Sequence, residues 1–199
     1  MVPRLRQINP HRFEDSATPP SGRVSGLSAV HSRVRSKAEA VPAVKVTILF
    51  FAIAFPLLAF FAAPGISFHD SGEFALAVAS NGLPHSPGAP TWAILNQIFK
   101  LFTFGAEAAR SANLFSSFCG AVTVAFCGAF VFRHFADRTK AVQWLSATVT
   151  GLSILGTGAF LEQSFIAEQY TLMTAIMSAI LLVIQTNDAN PKASWYYLL

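Results

Sequence analysis

Val46-Thr47-Ile48-Leu49-Phe50-Phe51-Ala52-Ile53-Ala54-Phe55-Pro56-Leu57-Leu58-Ala59-Phe60-Phe61-Ala62-Ala63 is an uncharged stretch and decides the fold. It is close to the roughly 20 residues needed to cross about 30 Å of hydrocarbon at about 1.5 Å per residue. It reads as a first membrane span, which Pro56 is expected to kink without breaking. Ahead of it lie 45 residues with eight Lys or Arg and three acids. That leader is too long for an ordinary cleaved signal peptide and is rich in Pro, Ser and Gly. Residues 1–45 therefore read as a disordered basic cytoplasmic tail, and the span after them as a signal anchor.

With 53% hydrophobic residues and only 12% charged ones, the chain is a multi-pass membrane protein rather than a soluble domain. The net charge of +4 is concentrated in the tail. Positive-inside retention and attraction to anionic lipid account for it, and nucleic acid is not a partner. Three further spans are expected over residues 111–132, 141–160 and 164–184. Arg133, Arg138 and Lys140 fill the short loop between the first two of these. With the tail inside, that loop and Lys192 are inside too, and the acidic segments around Asp70 and Glu162 to Glu168 share the other side. Ser194-Trp195-Tyr196-Tyr197 then resembles the interfacial mouth of a fifth span near residue 195, as expected of the N-terminal part of a longer chain.

Chemistry concentrates in residues 64–110. Asp70-Ser71-Gly72-Glu73-Phe74 puts two carboxylates at the membrane edge, and Asp-x-x-Glu has the spacing of a capping box opening a short surface helix. Asn81-Gly82 supplies its stop. The capping role is the plainer reading of both acids, although spacing of three also sets them on one face. Leu83-Pro84-His85-Ser86-Pro87-Gly88-Ala89-Pro90 is a stiff extended loop that can hold His85 in place, to bind phosphate or move protons, or simply as a solvated histidine. Residues 91–104 read as an amphipathic interfacial helix. Trp92, Leu95, Phe99 and Phe102 form its apolar face; Asn96, Lys100 and Thr103 lie on the other, with Lys100 snorkelling. Cys119, Cys127 and the span glycines read as packing residues, and no dinucleotide or Walker fingerprint is present.

Taken in order, DSGEF, the Pro-rich loop, the amphipathic helix, Phe104-Gly105, Arg110-Ser111-Ala112-Asn113-Leu114 and Ala167-Glu168-Gln169-Tyr170-Thr171-Leu172 form a set. It resembles glycosyltransferase family 117, which includes a protein O-mannosyltransferase, within the GT-C superfamily of lipid-linked-sugar transferases. The resemblance spans residues 46–185. One departure is that Pro84-His85-Ser86-Pro87-Gly88 stands where the family motif is Pro-His-Pro-Pro-Gly. The resemblance implies an all-α, polytopic GT-C-like helix bundle with interfacial helices in its first outer loop. It also implies an inverting transferase that moves a sugar, by analogy mannose, from a polyprenyl-phosphate carrier. The acceptor would be a protein or glycan hydroxyl on the non-cytoplasmic face of a plasma membrane, or of the endoplasmic reticulum in a eukaryote.

Asp70 matches the superfamily's first-loop acid, which the resemblance makes the base. A positioned carboxylate suits that role because an acceptor hydroxyl attacks poorly until its proton is removed. Glu73 is its helper, orienting the acceptor. Glu168, matching the Ala-Glu-x-Tyr motif, completes an acidic pocket where a buried acid needs a partner. If a divalent cation takes part, Asp70, Glu73 and Glu168 are its candidate ligands. Arg110 is the fixed cation for a departing phosphate, or else an interfacial anchor, and His69 and His85 are secondary substrate-binding candidates. The competing classes are a non-catalytic membrane protein, such as a transporter part or scaffold, and an inactive remnant. Against a transporter, no internal repeat is visible and the acids sit at one edge rather than mid-span.

Overall fold

In the computed structural model, residues 43–85 and 89–188 are described, and among them every regular element is an α-helix. The basic tail, Ser86 to Gly88, Lys192 and the fifth span expected near residue 195 lie outside them. Seven helices follow in order: α1 (Ala43–Phe61), α2 (Ser71–Ser80), α3 (Pro90–Lys100), α4 (Ala108–His134), α5 (Lys140–Leu155), α6 (Gly158–Phe165) and α7 (Tyr170–Asp188). Two of them, α1 and α4, are each long and apolar enough to cross a membrane. The expected third span does not run straight. α5 and α6 meet at a 69° bend, and together they pass as one broken span. α6 takes up the residues where span three was expected to end and span four to begin, so α7 starts at Tyr170 rather than 164.

α4 is the hub, packing against α2, α3, α5, α6 and α7. Its apolar window is 61% buried, against 17% for α1, which shows Ile48, Ile53 and Phe60 outward. α1 runs unbroken through Pro56. It docks by inserting Phe50 between two glycines: a Cβ on Gly128 would sit 2.9 Å from the ring and one on Gly151 3.0 Å away. Gly120 similarly leaves room for Ser164, whose Oγ would lie 2.6 Å from an added Cβ. Small residues thus let helices approach where lipid offers no hydrophobic contrast. Gly158 has open space around its Cα and serves no such contact.

The two short helices depart from their sequence readings. α2 does start after Asp70, whose carbonyl accepts the amides of Glu73 and Phe74, but no side chain caps it. Its end is as expected: Asn81 takes the left-handed conformation at φ 54° and returns its amide to Ala77. α3 begins at Pro90, a residue suited to a first helical turn. Its expected apolar face is split: Trp92 is buried and Phe99 packs on the core, while Leu95 and Phe102 are exposed. Asn96 is fully buried, whereas Ile94, Ile98, Leu101 and Phe102 face outward. The buried Asn96 amide has no hydrogen-bond partner among the described residues, and it is Gln97 and Lys100 that turn to α2. The last turn of a helix leaves acceptors without intrahelical partners. Gln97 donates to Ala77 and Val78 (3.4 and 3.1 Å), and the Lys100 ammonium donates to Val78 (3.2 Å) rather than snorkelling. Only Trp92 and, partly, Phe99 of the named apolar residues join the core with Phe74, Phe115 and Leu172.

Candidate active site

The segment between α6 and α7 is fixed first. Ser116 on α4 donates its hydroxyl to the Glu168 carbonyl and accepts the Glu168 amide, both at 3.2 Å, and the Trp92 indole donates to the same carbonyl at 3.2 Å. These bonds hold the Glu168 backbone between α3 and α4, leaving the residue only 4% exposed. Burial pushes its carboxyl above the usual range, and the nearby Asp70 charge pushes the same way; the Asp70 and Gln169 amides and His69 pull against both. Glu168 therefore takes up a proton at higher pH than an ordinary glutamate.

Asp70 reaches this place from α1. The α1 end is pinned by the Ala63 amide on the Phe165 carbonyl (2.8 Å) and by the Asn113 amide group, which donates to Ala63 and Gly65 at 2.8 Å each. Ser71 then accepts the Ser67 amide at 2.8 Å, tightening the turn into α2. His69 stands in the left-handed region at φ 57°, an uncommon conformation for a residue with a Cβ. Its Nε2 lies 3.2 Å from Glu162, and both side chains are more than half exposed. Asp70 is exposed, and its carboxylate makes no cap hydrogen bond.

The capping-box reading is corrected at Glu73 too. Instead of reaching back to Asp70, its carboxylate spans the loop: one oxygen accepts the His85 backbone amide and the other lies 2.6 Å from His85 Nδ1. The hydrogen bond to Glu73 holds the His85 imidazole above its ordinary pKa, with the charges of Glu73, Asp70 and Glu168 adding to it. The same bond holds Glu73 below the usual carboxylate range.

Arg110 is committed elsewhere. Its guanidinium donates to the carbonyls of Ala59 (3.1 Å), Ala62 and Ala63 (3.2 Å), closing the C-terminus of α1. Among the described residues no three His, Cys, Asp or Glu side chains converge as a metal-ligating group. Asp70, Glu73 and Glu168 do not make one as they stand, both Glu73 oxygens being on His85. The two cysteines are unpaired and packed in α4.

The structure thus brings Asp70, Glu73, His85, Glu168 and His69 into one neighbourhood. It adds Glu162, which meets His69, and the Trp92 and Ser116 bonds to the Glu168 backbone, which no motif marks. What fold and site define together is an all-helical membrane protein with a cluster of carboxylates and histidines at one end of its bundle. Residues 70–199 match the family described as Protein O-mannosyl-transferase TMEM260 N-terminal domain, and the chain belongs to that family. No curated protein and no solved structure matches it.

Proposed function

We propose that this chain carries the catalytic first loop of an inverting membrane glycosyltransferase. The enzyme moves a sugar, mannose by family analogy, from a polyprenyl-phosphate carrier to an acceptor hydroxyl of a protein or glycan on the non-cytoplasmic face. The observation that carries the reading is Asp70: an exposed carboxylate, uncapped, beside a buried acid in a chain of this family. Asp70 takes the acceptor proton as the oxygen attacks the anomeric carbon. The bond from that carbon to the phosphate oxygen breaks, and the polyprenyl phosphate leaves with the electron pair. Glu168, fixed by Trp92 and Ser116, holds the loop that faces Asp70. A cluster at the end of the bundle suits a donor whose lipid tail stays in the bilayer.

The test is sugar transfer from polyprenyl-phosphate-mannose, using membranes that carry the gene's full open reading frame. Asp70→Asn is expected to lower the rate at least about 100-fold, the range for a lost general base, with insertion and helicity unchanged. A normal rate in that variant removes Asp70 from the role. Absence of transfer from any donor by an inserted wild type favours a non-catalytic membrane protein instead.

A further inference from the structure

A departing phosphate needs a positive group, and Arg110, the obvious one, is occupied by three carbonyls of α1. Lys100 is occupied by Val78. His69 is held at a single point, by an exposed carboxylate. His85 differs from all three. One carboxylate grips both its backbone amide and its Nδ1, which fixes the ring and leaves Nε2 pointing away from the grip. The residue stands just after the buried Pro84, so the chain beneath it is stiff as well. We propose that His85, as an imidazolium, is the cation that meets the phosphate of the lipid carrier, and that Glu73 is a positioning residue acting through it. This rests on the transferase reading and replaces the earlier assignments of Glu73 as acceptor helper and Arg110 as phosphate clamp.

In the step, Asp70 takes the acceptor proton, the bond from the anomeric carbon to oxygen breaks, and the negative charge arriving on the phosphate is met by the Nε2 proton of His85, which need not be transferred. The groups facing the imidazole are Glu73 on α2, Asp70 just before it and Glu168 ahead of α7, all of which favour its charged form. His85 is raised, so its charge persists above the ordinary histidine range and is lost as pH rises through the raised value. Glu73 is lowered, so its charge is lost only as pH falls through the lowered value. The grip is complete between the two.

Two measurements on the full-length protein in nanodiscs test this. The first is binding of polyprenyl monophosphate at pH 6 and pH 9. His85→Gln is expected to weaken binding roughly tenfold at pH 6, the loss of one charge-assisted hydrogen bond, and to change little at pH 9. His85→Arg should keep tight binding at both. Glu73→Gln should move the fall in binding down toward the ordinary histidine value of about 6.5. The second is the pH profile of sugar transfer, where the alkaline limb should move down in Glu73→Gln and disappear in His85→Arg. His85→Gln binding like wild type at pH 6, or His85→Arg keeping the wild-type pH dependence, overturns the proposal. The two readings fail separately. Binding through His85 without any transfer defeats the transferase reading alone, and transfer with a wild-type pH profile in His85→Gln defeats only the phosphate site.

Discussion

Arg110 shows how a residue that looks chemical can be structural. A guanidinium carries five donors in a fixed fork, and here it meets the carbonyls of Ala59, Ala62 and Ala63 at the end of α1. Removing it leaves acceptors at the membrane edge without their partner. Arg110→Ala is expected to cost about 2 kcal/mol of stability, the usual range for hydrogen bonds to a charged group, seen as a lower thermal midpoint in detergent. A large loss of transfer with the midpoint unchanged would instead place the guanidinium on substrate. Asp70, Glu73, His85 and Glu168 were legible as a group because acids and a histidine at the rim of apolar spans have few innocuous explanations. Their pairing was not. Asp-x-x-Glu is a capping box only while Glu73 has nothing better to bind, and His85, twelve residues on, is a stronger partner. The pairing of His69 with Glu162 joins residues 93 apart in the chain, and no local pattern announces it.

Among the elements, hydrophobic runs located α1 and α4 within a few residues, since length and apolarity decide a span. They did not show the 69° bend between α5 and α6, because Gly156 to Gly158 reads as part of an apolar run as readily as a break. At α3 the pattern located the helix but not which of its residues would be buried. Trp92 and Phe99 turn inward, whereas Ile98, Leu101 and Phe102 can stay outside against lipid, and Gln97 and Lys100 reach the carbonyls at the end of α2. The α1 contact is where sequence and packing agree best, since glycines in spans read as points of close approach. Gly128→Ala is expected to cost about 1–3 kcal/mol, because the added methyl lies 2.9 Å from the Phe50 ring. The double variant with Phe50→Leu should recover part of that loss in the same unfolding assay, and strict additivity would show that the two residues do not press on each other.

For the molecule as a whole, the direction in which α3 faces determines how the bundle meets its surroundings. Ile98 is 51% exposed and Leu101 77%, on the same outward side. A nitroxide on Ile98→Cys is expected to be relaxed by dissolved oxygen and shielded from a water-soluble nickel chelate. The opposite pattern would turn α3 over and bring Asn96 to the surface. The helical membrane class was legible in the uncharged runs, the polytopic bundle in the family resemblance as well, and the acids gathered on one side in the placement of Lys and Arg between the runs. The details of the site were not, because they depend on bonds that α4 makes to segments on both sides of it.

The Ser116 and Trp92 bonds to the Glu168 backbone have a consequence for synthesis. Asp70 leaves the ribosome about a hundred residues before the acid it will face, which at roughly 5–20 residues per second is a wait of roughly 5–20 seconds. For roughly the first half of that interval α1 lacks Gly128, and for most of it Gly151, the two glycines that receive Phe50. The nascent chain carries Asp70 long before the buried Glu168 that it faces. On the proposed mechanism, sugar transfer begins only once the loop ahead of α7 has emerged and closed on α4.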